Sequence, residues 1–314
     1  MDKWLSVIIP HYNSIDLLEI LVKSIPRDLG IEIIIVDDKS TKDVEKIADF
    51  EKRHTEAGHV FMRNTTEKKG AGVCRNLAIE KATGEWIVFA DADDYFVDGA
   101  FDIIKKATTL GKNLVYFAST SVYLESGELA DRHLNYEKWI RNYCENPCLE
   151  NELIMRYKFL GPVCKLIKRS IIGDIRFGET MSSEDVMFCT RLANSVDEIE
   201  VCPDVVYCIT KSSGTLATQK NLTSLETAVD VFLQRYTFLR EHLTKEEFDT
   251  LRLSGKMHLA KAFLDGYGIK EVFKILKKYH ANGIKVFSVR MLIRDVKDLF
   301  VMLKTRNRDK KEGV

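Results

Sequence analysis

Three carboxylates crowd into four residues at Asp91-Ala92-Asp93-Asp94, directly after the apolar run Trp86-Ile87-Val88-Phe89. Carboxylates this close repel one another, and a hard divalent cation backed by a phosphate would relieve that repulsion. A second acidic pair, Asp37-Asp38, follows another apolar run, and a third, Glu184-Asp185, opens an amphipathic stretch. Each has a plainer use by itself. The first could be an acidic turn in which Asp94 or Asp98 caps the next helix. The third could be acid in a first helical turn, where the helix dipole favours it. One acid pair after one strand is cheap, whereas two on neighbouring strands point to a shared crevice.

The apolar runs at 5–10 and 86–89 read as buried strands, the latter covered on both faces, with a second apolar strand over 31–36 and a short third over 60–63. Helices are predicted between them. One covers 15–25, capped by Ser14 and stopped by Pro26, and one covers 42–54, opened by Ser40 and Thr41. A third follows Gly70-Ala71-Gly72 and is closed by Gly84, and a fourth lies near 100–109. Such alternation specifies an α/β fold, a parallel sheet with helices on both faces, whose ligands sit outside the carboxyl ends of the strands. Past Asn113 the pattern changes. Residues 114–118 and 121–124 are predicted as strands of a hairpin or sheet extension, and 131–151 as a polar, loop-rich insertion on an acceptor side. A helix over 186–194, one or two strands over 200–209 and a polar loop Lys211-Ser212-Ser213-Gly214 follow. From Thr223 onward heptad-like apolar spacing predicts helices, including 245–264, 269–280 and 288–303. The expected organisation is a domain over 1–215 and a helical region over 216–314.

The chain has 47 basic and 47 acidic residues, so no global field favours nucleic acid. No apolar run reaches the length of a membrane span, and Met1-Asp2-Lys3-Trp4 leads straight into a strand without a signal peptide. Seven cysteines, odd in number and without a Cys-x-x-Cys, fit reduced thiols in a cytoplasmic protein. Residues 270–312 hold thirteen Lys/Arg against five acids, with Phe287, Met291, Leu292, Leu299, Phe300 and Leu303 interleaved. A basic amphipathic helix can lie on an anionic membrane, here the inner face; a helix packed on the core with a solvated basic face is the alternative.

Five segments in order resemble family 2 glycosyltransferases with the GT-A fold: Ser6–Asn13, Ile35–Thr41, Gly70–Ala78, Asp91–Asp94 and Ser183–Phe188. The resemblance covers about the first 215 residues. It implies a mixed, mostly parallel sheet flanked by helices, and transfer of a sugar from a nucleotide-sugar, with inversion and with Mn2+ or Mg2+. In that frame Asp93 holds the metal and Asp91 orients the sugar or ribose. Pro10 and Tyr12 pack against the base, Asp37 and Asp38 hold base and ribose, and Arg75 approaches phosphate or braces the acids, with Lys69 a weaker candidate. Inversion needs a base across from the leaving group, a place that Asp185 matches, with Glu184 assisting or holding the acceptor. The implied donor is UDP-linked and the acceptor a growing surface polysaccharide or a lipid-linked saccharide. Lys39 stands where the family often has Gly, and Cys74 where it often has Ala. Lys165 lies in a segment that in many relatives carries a basic residue near the donor, against the alternative of an exposed lysine. His11 and His133 have no acidic or cysteine cluster around them and read as solvated or core histidines. A sugar nucleotidyltransferase would want a glycine-rich phosphate loop after the first strand, where Pro10-His11-Tyr12-Asn13 stands. A non-catalytic sugar- or nucleotide-binding module sits poorly with acids intact at all three places.

Overall fold

β1 (Leu5–His11) is buried at every position but Pro10, and β2 (Ile31–Asp37) is buried along its whole length. Both runs are Ile- and Val-rich, and β-branched side chains fit a sheet covered on both faces. In the computed structural model, which describes residues 2–27, 30–212, 221–284 and 286, they form the centre of the first of two compact units, Met1–Ser212 and Ser213–Val314. The first unit continues as α1 (Ile15–Lys23), α2 (Val44–Glu56), β3 (Val60–Arg63), α3 (Ala71–Ile79), β4 (Trp86–Phe89), β5 (Tyr95–Phe96) and α4 (Ala100–Ala107). After these come β6 (Leu114–Tyr123), α5 (Leu134–Glu145), α6 (Leu149–Lys158), β7 (Lys165–Lys168), α7 (Arg169–Ile172), α8 (Glu184–Asn194) and β8 (Glu200–Lys211).

The strands make one mixed sheet in the order β3-β2-β1-β4-β7-β6-β8-β5. β3, β2, β1 and β4 run parallel, as do β6 and β8; β7 runs antiparallel to β4 and β6, and β5 to β8. Register sets His11 beside Asp37 and Asp37 beside Arg63, so β1, β2 and β3 end level. β1 lies between β2 and β4, which is the strand-order reversal where open α/β sheets form a crevice at their carboxyl ends.

Several sequence expectations need correction. The two strands expected over 114–124 are one, β6, because the continuous β8 pairs with it throughout and a register shift at Phe117/Ala118 absorbs the bend. Most of the expected loop 131–151 is helical. Tyr136, Trp139, Ile140 and Tyr143 recur at helical spacing and pack on the core, a period that the polar composition hides. Ser14 stands at the start of α1, but its side chain caps nothing; instead Asn13 Oδ1 accepts the N–H groups of Thr41 and Lys42 at 2.8 and 3.0 Å. α2 begins at Val44, and neither Asp94 nor Asp98 caps α4, whose N-cap is Gly99. α3 ends at Ile79, so Gly84 does not close it. Gly84 lies so close to β1 that a Cβ there would stand 2.6 Å from the Leu5 carbonyl carbon.

The second unit contains α9 (Leu222–His242), α10 (Lys245–Leu251), α11 (Lys256–Leu264) and α12 (Ile269–Ala281). Leu225, Val229, Phe232, Leu259, Ala262, Ile275 and Tyr279 form its own core. The single helix expected over 245–264 is two. Arg252 takes a left-handed φ of 48°, and at Gly255 a Cβ would fall 2.1 Å from the Tyr279 ring. No helix among the described residues is long and apolar enough to cross a membrane. The helix expected over 288–303, Ser213 and Gly214 of the polar loop, and most of the basic run lie outside the described residues.

Candidate active site

The carboxyl edge of the sheet collects the acids. His11 Nδ1 donates to Asp37 Oδ1 at 2.8 Å, and His11 Nε2 accepts the Ser14 N–H at 3.2 Å, which assigns the neutral tautomer with its proton on Nδ1. Both side chains are buried. Burial pushes the Asp37 carboxyl up, but the hydrogen bonds from His11 and Ser40 outweigh it and hold the group below its ordinary range. Asp38 accepts from Asn64 Nδ2 and from the Gly70 N–H, each at 2.7 Å. It thereby ties the end of β2 to the loop that launches α3. Both carboxylates of the second strand, at 1% and 7% exposure, are therefore largely spent inside the protein. Beside them Pro10 is part-buried, and the half-exposed Tyr12 ring has Lys69 Nζ 5.8 Å from its centroid.

The turn after β4 is fastened from β8. The Asp91 N–H donates to Tyr207 Oη at 2.8 Å, and the Tyr207 hydroxyl also bonds Asp94. Asp94 Oδ1 accepts the Thr210 N–H at 2.8 Å, and Thr210 Oγ1 donates to the Asp93 carbonyl at 2.6 Å. Asp94 is buried, and desolvation together with Asp91 and Asp93 raises its pKa well above the ordinary value. Asp93 differs. Its carboxylate is part-exposed and takes only its own backbone N–H; burial and Asp91 push its pKa up, and Arg132 pulls it down. Arg132 reaches this turn through the Thr210 carbonyl, at 3.5 Å. Such a crowd suits a cation. Among the described residues no three His, Cys, Asp or Glu side chains form a ready cage. A cation at Asp93 would therefore complete its shell with phosphate oxygens and water, as Mg2+ does when bound through one or two carboxylates.

Arg75 joins this turn to α8. Nη2 donates to Asp91 Oδ1 at 2.6 Å and Nη1 to Glu184 Oε1 at 3.2 Å, from a side chain only 4% exposed. The guanidinium lies over the Phe177 ring, which stacks on Phe188 at 3.8 Å. Both rings stand edge-on to Phe89 at the end of β4. In the structure the Nη atoms of Arg75 brace the two acids, while its buried Nε meets no hydrogen-bond partner among the described residues. Gly72 makes the brace possible, because a Cβ there would fall 2.2 Å from the Gly178 carbonyl and 3.0 Å from the Glu184 side chain.

Asp185, next to Glu184 at the start of α8, is half-buried and accepts its own backbone N–H. Burial and Glu184 raise its pKa to about 6, against the pull of Arg75. Glu184, Arg75 and Asp91 thus join Asp185 to the turn after β4, and Cys74, beside Arg75, contacts Asp38. Lys165 is not the exposed lysine of the alternative reading. It is buried, its ammonium against the Gly161 carbonyl and 4.2 Å from the Phe159 ring centroid. His133 bonds Ser121 Oγ at 2.7 Å. Sequence reasoning missed Arg132, Tyr207 and Thr210, none of which sits in a motif.

The family model described as Glycosyl transferase family 2 matches residues 6–176, more than half of the chain. Among curated proteins, the chain is 24% identical to the glycosyltransferase GlyG of Streptococcus pneumoniae, over 75% of this chain and 80% of that one. It is 28% identical to a Campylobacter jejuni GalNAc(5)-diNAcBac-PP-undecaprenol beta-1,3-glucosyltransferase, over 60% and 59%. It is 36% identical to the poly(ribitol-phosphate) beta-N-acetylglucosaminyltransferase TarS of Staphylococcus aureus, over 67% of this chain but only 36% of TarS. Residues 1–349 of S. aureus TarS, solved with UDP-GlcNAc, superpose with a TM-score of 0.62 at 22% identity, over 82% of this chain and 72% of that one. A Pyrobaculum calidifontis mannosyltransferase solved with GDP-Man and Mn2+ superposes at 0.52 and 17%, over 96% and 81%. These likenesses show the fold, a GT-A sheet with helices following it.

Proposed function

The chain belongs to glycosyl transferase family 2, and from that premise we propose that it moves a sugar from a UDP-linked donor, with inversion, onto a saccharide or lipid-linked saccharide during surface-polysaccharide synthesis. The observation that carries the reading is the contrast between two acids at the start of α8. Glu184 is held by Arg75, while Asp185 bears, among the described residues, no partner but its own backbone and has its pKa raised to about 6. A carboxylate in that state is ionised at neutral pH and basic enough to take a proton.

In this reading an acceptor hydroxyl attacks the anomeric carbon and its proton passes to Asp185. The bond from that carbon to the diphosphate oxygen breaks, and its electrons leave with UDP. Attack from the side opposite the leaving group inverts the centre. Negative charge grows on the diphosphate as the bond lengthens, and a divalent cation, when bound, would supply Lewis-acid stabilisation there. Asp93, whose carboxylate takes no donor from another described residue, would hold it. Asp91, oriented by Arg75 and Tyr207, would accept from the donor's sugar or ribose hydroxyls. Tyr12 and Pro10 would pack on the base. Asp37 and Asp38 chiefly shape that end, with their remaining lone pairs available to a uracil N–H or a ribose hydroxyl.

The choice of UDP and of the acceptor is supported by the UDP-GlcNAc in the TarS structure and by the undecaprenol-linked and poly(ribitol-phosphate) acceptors in the relatives' names. The test is a thermal-shift and UDP-release screen of nucleotide-sugars with Mn2+, with Mg2+ and with chelator. Asp93→Ala should abolish the metal-dependent part. Asp185→Asn should bind the donor normally and lose transfer. Undiminished transfer by Asp185→Asn would overturn the assignment of the base.

A further inference from the structure

α12 of the second unit carries one broad apolar sector, of which the core covers a part: Ile275 and Tyr279 are buried in it, with Val272 and Leu276 packed against it. The rest is exposed. Ile269 and Phe273, four residues apart and so on one stripe of the helix, are 70% and 62% exposed. Phe263, at the end of α11, is 74% exposed. A tight turn joins the two helices. The Gly266 N–H donates to the Phe263 carbonyl at 3.1 Å and the Tyr267 N–H to the Ala262 carbonyl at 3.1 Å, while Gly266 and Gly268 take φ of 79° and 83°. Scattered exposed apolar residues are ordinary, but Ile269 and Phe273 share one helical stripe, and Phe263 adds a third large exposed side chain within eleven positions of the same helix–turn–helix.

The lysines of α12 are sorted in the same way. Lys274 pairs with Glu226 and Glu271, and Lys278 with Asp230 at 2.7 Å, so the lysines facing α9 are neutralised. Lys277 continues the stripe of Ile269 and Phe273, and Lys270 adjoins it; both are exposed and make no ion pair with any described residue. The outward stripe of Ile269 and Phe273 is therefore flanked by free positive charge on one side, and on its other side it runs into Leu276 and Val272, which pack on the core. A second copy docking symmetrically on that face would set these lysines near their own counterparts. The face is also a convex helix surface rather than a groove.

We propose that this face docks on an anionic lipid bilayer, with Phe263, Ile269 and Phe273 entering the boundary between headgroups and acyl chains and Lys270 and Lys277 meeting headgroup phosphates. It stands on the second unit alone, whatever reaction the first performs. It also assigns to named, described residues the membrane contact that the sequence suggested only as a basic run.

The test sediments the full chain with vesicles of phosphatidylcholine, with and without phosphatidylglycerol, at low and high salt. Binding is expected only with phosphatidylglycerol and should weaken with salt. Ile269→Ser with Phe273→Ser should lower partitioning at least about tenfold while UDP release and melting temperature stay unchanged. Lys270→Glu with Lys277→Glu should remove most of the salt-sensitive part. Should the double serine variant misfold, Phe263→Ser, at a side chain outside the core, carries the same expectation. The proposal is overturned if no vesicle binding occurs, or if the variants bind as the parent does. It is equally overturned if light scattering finds a dimer that the serine variants dissolve.

Discussion

Asp185 keeps its proton to a higher pH than a free aspartate because burial and Glu184 oppose its charge, while Arg75 favours it. A base must be ionised to work, so kcat/KM should fall as the pH drops through about 6 and be level above it. Arg75→Gln removes the opposing cation, and the acid limb should move to higher pH in the same profile. It should also lower stability by about 1–3 kcal/mol, since two carboxylates lose a partner but both keep some contact with solvent. The sign for folding is the reverse of the sign for rate. The folded chain binds this proton more tightly than the unfolded chain, so ionised Asp185 costs stability above pH 6. Asp185→Asn should therefore melt a few degrees higher by calorimetry while losing about 10²–10⁴ in transfer rate. The acids themselves were readable from the sequence, because strand-then-acid is a local pattern. Their partners were not. Arg75 meets Asp91 and Glu184 from 16 and 109 positions away, and Asp94 meets Thr210 from 116. Only packing brings such residues together.

Among the elements, the approach of α3 to α8 decides whether these groups meet. Gly72→Ala would drive a methyl into the Gly178 carbonyl, and the two helix starts must separate. A displacement of roughly 1 Å there should cost on the order of 10² in kcat/KM, with donor binding measured by thermal shift much less affected. Lys39 gives the opposite case. It holds φ at 61°, a conformation that suits glycine, in the loop after β2. Lys39→Gly should raise stability by about 1 kcal/mol in urea unfolding, less whatever the Lys39 contact with the Thr66 carbonyl contributes. Strands β1, β2 and β4 were legible because they are buried nearly throughout and their sequences are largely apolar runs. α5 was not, since only Ile140 is fully buried on it and most of its residues are polar.

Over the whole molecule, zero net charge conceals a division. Residues 270–312 carry thirteen of the 47 basic residues but five of the 47 acidic ones, leaving the rest of the chain with an acidic excess of eight. Composition alone gave no global field and could not say where charge was neutralised. The pairing of Lys274 and Lys278 with α9, and not of Lys270 and Lys277, needed the fold. Gly255→Ala, which crowds the Tyr279 ring, should destabilise the second unit by about 1–3 kcal/mol, seen as earlier hydrogen exchange in α9 and α12.

The Arg75 brace also constrains how such an enzyme can diversify. One guanidinium is riveted to both the turn after β4 and the start of α8, so neither can be edited without loosening the other. A library randomised at Asp91 or Glu184 should consist almost wholly of inactive members. Variants with altered sugar preference should arise instead at the periphery, at Tyr12, Lys39 and Arg132, where a side chain can change without pulling on that shared fastening.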